Sequence, residues 1–103
     1  MMAHDFEISQ FQFDVLKKLY DSKTPVIVAM EPKDSDPEKD RHAIIFHQVQ
    51  YDDLVKHNLF KDVTEMFKGK LDSKVLEGRG YKVYSVTNQA IEIMSLYAKG
   101  VVQ

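Results

Sequence analysis

Few residues in this chain have the type and spacing that chemistry needs. The four histidines are His4, His42, His47 and His57. His42 and His47 lie five apart, whereas one helical face offers metal ligands at i and i+3 or i+4. Asp52 and Asp53 are adjacent, so on a helix their carboxylates point about 100° apart and do not form an acid/base pair. There is no cysteine, which excludes disulfides and thiolate metal sites. No glycine motif cradles phosphate, and no nucleophile elbow is present. The expectation is a non-enzymatic protein with no catalytic residue, no cofactor and no metal.

Charge is the second chemical signal. The 103 residues carry a net charge of −2, unevenly spread. Residues 1–60 hold seven Lys and Arg against eleven Asp and Glu, whereas residues 61–82 hold six against four. Any phosphate contact would therefore fall in that short later segment. No apolar run approaches the roughly 18 residues of a membrane span. The N-terminus, with His4, Asp5 and Glu7, lacks the apolar core of a signal peptide. A cytoplasmic protein without a membrane partner is expected.

The elements that would position these residues are partly legible. Ser9 and Gln12 form a capping-box pair, and Ile8 with Phe13 a hydrophobic staple. Phe11, Val15 and Leu19, widened by Leu16 and Tyr20, predict a core-facing helix that ends near Ser22. Residues 24–30 read as a strand entered through Pro25. Residues 31–41 form a charged loop in which Asp36-Pro37 is a credible helix start. Residues 43–46 are either a strand or the first turns of a helix. The spacing of Ile44, Tyr51 and Val55 favours helix, with Phe46 near that face and Asn58 as the left-handed residue that ends it. Residues 62–67 and 81–86 read as strands, joined by a long Lys/Gly-rich loop at 68–80. Thr87 caps a closing helix, apolar at Ala90, Ile91, Ile93, Met94, Leu96 and Tyr97, which Gly100 ends.

Two stretches carry a resemblance. Leu54-Val55-Lys56-His57-Asn58-Leu59-Phe60 resembles the end of a winged-helix recognition helix, where leucine, polar residues, a small residue and a second leucine lead into the first wing strand. The stretch from Tyr81 to Ala90 is similar to the second wing strand and the start of the next helix, with Ala90 where glycine is usual. The resemblance spans residues 9–99; it is strong over 54–97 and weak over 24–50, where the acidic loop obscures the usual second helix. It implies an α+β fold: a single winged-helix domain over 1–103, with helices packed against a small antiparallel wing sheet. Residues 1–8 would be a flexible arm.

The same resemblance implies a partner. A winged helix-turn-helix protein places its recognition helix in the major groove of double-stranded DNA and its wing on the backbone. Carried over, Gln48, Gln50, Lys56 and His57 would read bases, and Lys68, Lys70, Lys74 and Arg79 would form the wing contact. Asp52 and Asp53 on that helix oppose phosphate. The expected function is a transcriptional regulator of a small prokaryotic, archaeal or viral type. Its rival is a protein-interaction or dimerisation module that binds no nucleic acid and relies on exposed aromatics such as Tyr81 or Tyr84. The closing helix, with Val101 and Val102, offers a homodimer seam.

Overall fold

The computed structural model describes residues 2–3, 6–22, 26–76, 78–98 and 100. In chain order the elements are β1 (Met2–Ala3), β2 (Phe6–Glu7), α1 (Gln10–Ser22), β3 (Val26–Met30), α2 (Glu38–Lys56), β4 (Phe60–Asp62), a 3-10 turn (Thr64–Phe67), α3 (Ser73–Leu76), β5 (Tyr81–Val86) and α4 (Asn88–Ala98). β1 and β2 pair with each other, in the segment read as a flexible arm; β3, β5 and β4 form one antiparallel sheet in that spatial order. The fold is α+β, with three long helices against a small sheet, and is compatible with a single winged-helix-like domain.

Short-range chemistry starts and stops the helices. The Gln12 N–H donates to Ser9 Oγ at 3.1 Å, and the Ser9 N–H returns to Gln12 Oε1 at 2.9 Å. This reciprocal box satisfies two orphan donors of α1. Behind it Leu16 and Leu19 are buried, with Phe11 and Val15 packed against them. At the other end of the fold, Thr87 Oγ1 accepts the Ala90 N–H at 3.1 Å and donates to the Asn58 carbonyl at 2.7 Å. It therefore caps α4 and ties that cap to the end of α2.

The ambiguous middle is helical. α2 runs unbroken from Glu38, four residues before His42, and covers the stretch that also read as a strand. No helix forms in residues 31–37, so one long helix stands where the resemblance calls for two. Asp36 does not cap it, because its carboxylate accepts the Lys33 N–H at 2.8 Å and faces Arg79. At the far end Asn58 adopts φ 60° and the Leu59 N–H reaches back to the Leu54 carbonyl at 2.9 Å, which seals Leu59 into the core.

The sheet departs from expectation in one strand. The strand expected at 62–67 does not form: β4 spans Phe60–Asp62 and the chain then coils through residues 63–67. Asp62 Oδ1 accepts both the N–H and the hydroxyl of Thr64, at 2.9 and 2.5 Å. That local closure competes with the ladder and turns the backbone. β5 is central, pairing from Val26↔Ser85 to Met30↔Tyr81 on one side and Phe60↔Val86 to Asp62↔Tyr84 on the other. Adjacent residues Val83 and Tyr84 are both buried, so both faces of the strand are covered. Tyr84, Tyr51 and Phe60 pack with centroids 5.8 Å apart, Phe60 stacked on Tyr84 and Tyr51 tilted against both, and join the sheet to α2.

Candidate functional site

The residues expected to read bases do not converge. Gln48 and Gln50 are two apart on α2 and so roughly 200° apart around it. Gln48 faces the sheet, in a cleft of about 330 Å³ with Asp52, Lys82 and Tyr84. Gln50 faces α1 instead: its Oε1 accepts the Ser9 hydroxyl at 3.1 Å and its carbonyl accepts Gln12 Nε2 at 3.1 Å. His57 Nδ1 lies 2.9 Å from the Asp53 carbonyl and 3.7 Å from its carboxylate. Of the four, Lys56 alone stands exposed on the outward side of α2. Asp52 and Asp53 are also divided, since Asp52 Oδ1 accepts the Tyr84 hydroxyl at 3.0 Å and Asp53 Oδ2 accepts Gln12 Nε2 at 3.1 Å.

The wing separates into a free part and a clamped part. Lys68, Lys70 and Lys74 are exposed on the segment between β4 and β5. Arg79 is not part of that set. Its guanidinium holds Asp36 with two bonds, at 2.5 and 2.7 Å, and Nη1 also donates to the Glu31 carbonyl at 3.1 Å. Side-chain exposure is 17% for Arg79 and 11% for Asp36, so this pair is shielded, unlike an ordinary surface bridge. The guanidinium, with the Lys33 N–H behind it, holds the Asp36 carboxyl down at about 2. Nearby, the Thr64 hydroxyl and N–H hold Asp62 below the usual carboxylate range.

The outward face of α2 is apolar in its middle. Ile45 is 46% exposed, Phe46 48% and Val49 58%. Phe46 was expected near the core face, and it is instead the aromatic that lies open beside α1. Its ring meets Phe11 edge-on at 5.2 Å, and the neighbouring His47 ring stacks on Phe11 at 5.1 Å. Of Tyr81 and Tyr84, at least one of which was expected to face outward, Tyr84 is buried and Tyr81 is half-buried. The signal for the open face lay in the spacing of Ile45 and Val49, which falls on the side of α2 opposite the buried Leu54. Charged and polar groups flank this patch: Glu38 and His42 toward the start of the helix, Asp53 and Lys56 toward its end.

A cleft of about 460 Å³ lies on the inward side of the same helix, between Asp40, Ile44 and His47 of α2, Val28 and Met30 of β3, and Arg79. Among the described residues, no three His, Asp or Glu side chains come together as a metal site. Among the same residues, no helix is long and apolar enough to cross a membrane. The part of the closing-helix seam at Val101 and Val102 lies outside the described residues. Compared with protein-family models, curated proteins and solved structures, the chain matches none of them.

Proposed function

We propose that this chain is a non-enzymatic, cytoplasmic protein-interaction module of winged-helix-like fold, with the outward face of α2 as its docking surface. The observation that carries this reading is the contiguous exposure of Ile45, Phe46 and Val49 on one helix face. Monomeric proteins normally leave large apolar groups exposed singly, and a patch ringed by polar residues marks an interface. The arrangement on α2 also disfavours groove reading, because its two glutamines diverge and its outward side carries no basic row.

A second reading, binding of double-stranded DNA by a regulator, is favoured by Lys68, Lys70 and Lys74 standing exposed on one loop. Fluorescence anisotropy against random-sequence duplex at several salt concentrations separates the two. Three lysine contacts per protomer would give a log–log salt slope of about −3. Binding of that kind, lost on charge reversal of the three lysines, overturns the interaction reading. No binding even at low salt is the expected result.

A further inference from the structure

We propose that the partner of this face is a second copy of the chain, docked with its α2 antiparallel to the first. The proposal rests on the reading of α2 as a docking surface and names what covers it. Glu38, His42, Ile45, Val49, Asp52 and Lys56 follow one another at steps of four, three, four, three and four residues. That is the spacing of a coiled-coil seam, and it runs from the first residue of α2 to the last. A two-fold axis at the middle of the helix sets residues in facing layers. Glu38 then meets the partner's Lys56, His42 meets the partner's Asp52, and Ile45 meets the partner's Val49. The remaining three layers repeat these in reverse.

Every layer is either apolar or complementary. Glu38 and Lys56 carry opposite charges at the ends of the seam. His42 has a ring N–H to offer in either protonation state, and Asp52 Oδ2 makes no bond among the described residues. Phe46 flanks Ile45 and widens the apolar centre. A parallel pair would instead set Glu38 against Glu38, Asp52 against Asp52 and Lys56 against Lys56, which charge repulsion penalises. The pattern of charge thus selects both the occupant and its direction.

The apolar centre is short, so the dimer is weak. Two helices of this length bury on the order of 1,000 Å², the lower end for a specific interface. A dissociation constant on the order of 10 µM is expected.

Sedimentation velocity of the full chain, from low micromolar to about 1 mM, tests this directly. A monomer–dimer equilibrium is expected, and Val49→Glu should weaken it by at least roughly tenfold. Glu38→Lys alone should weaken it several-fold by setting lysine against Lys56, and adding Lys56→Glu should restore it. All three positions are exposed, so the folded monomer is preserved and circular dichroism verifies it. A chain that stays monomeric throughout, a dimer indifferent to Val49→Glu, or no restoration in the charge-swapped variant each overturns the proposal. Those outcomes leave the interaction reading in place for a different partner. Only salt-dependent duplex binding through the wing lysines removes that reading itself.

Discussion

Asp36 and Arg79, 43 residues apart in the chain, hold each other by two bonds and close the charged loop onto the base of the wing. Arg79 also reaches the Glu31 carbonyl, while the Glu31 N–H donates to the Gly80 carbonyl at 2.8 Å. The ion pair and this backbone bond, which continues the ladder beyond Met30 and Tyr81, together stitch the two loops.

Acid should loosen this stitch. The Asp36 carboxyl sits at about 2 in the folded chain, against about 3.9 in an unfolded one. A depressed carboxyl stabilises the fold fully above its unfolded value and loses that contribution as pH falls toward its folded value. The loss should run from about pH 5 to pH 2, and Asp62 adds to it with the same sign. Urea denaturation across that range should show a shallower pH dependence for Asp36→Asn than for the parent. Parallel curves would mean the pair does not form in solution.

Gln12 is buried at 2% exposure, and both ends of its side chain are bonded. Gln12→Leu keeps the volume but loses the capping box and leaves the Gln50 carbonyl and Asp53 short of a donor. A loss of about 2–3 kcal/mol is expected by thermal or urea denaturation. Gln12→Glu should be worse at neutral pH, since it sets a carboxylate beside Asp53, and should recover as the pH drops. A difference below about 0.5 kcal/mol for Gln12→Leu would contradict the assigned bonds.

Asn58 separates backbone conformation from side-chain contact. Its φ of 60° is the left-handed region, and among the described residues its side chain makes only an exposed bond to Gln89, at 3.1 Å. Asn58→Gly should be neutral or slightly stabilising, whereas Asn58→Ala should cost about 1 kcal/mol. Equal effects of the two substitutions in chemical denaturation would show that the bond, and not the backbone, matters.

Alkali should act through Tyr84. Burial pushes its phenol well above the usual tyrosine range, with the Asp52 bond adding to this; burial also raises Tyr51. A raised phenol supports the fold below its unfolded value, about 10, and loses that support as pH rises past it. In an ultraviolet titration of the five tyrosines, two should ionise late and together with unfolding. Tyr84→Phe should cost about 1 kcal/mol near neutrality and remove part of the alkaline loss. Five phenols ionising in one reversible step would refute this.

What could be read from the amino-acid order follows the range of each interaction. Ser9 with Gln12, Thr87 with Ala90, and Leu59 with Leu54 act within three to five residues, and all form the expected helix ends. The strand expected at 62–67 failed on an equally local signal, the Asp62–Thr64 turn, whose pull on the backbone outweighed the β-forming types around it. The clamp of Arg79 on Asp36 had no local trace, so Arg79 read as one more wing cation. α2 is apolar on two sides, with Ile44 and Tyr51 inward and Ile45, Phe46 and Val49 outward. Periodicity alone therefore placed Phe46 near the wrong side. The divergence of Gln48 and Gln50 follows from the turn angle of any helix, once 43–46 is known to be helical rather than extended.

β3 and β4 never touch as ladder partners; each pairs only with β5, which lies between them in space and after both in the chain. During synthesis, then, the first two sheet strands emerge from the ribosome with no neighbour to bond, and stay so until Val86 has cleared the exit tunnel. The nascent chain can form α1 and α2 early, because their bonds are local, but the sheet must wait until β5 has been made. A stalled chain ending before Tyr81 would expose both orphan strands, so premature arrest should yield a chaperone client rather than a half-built domain.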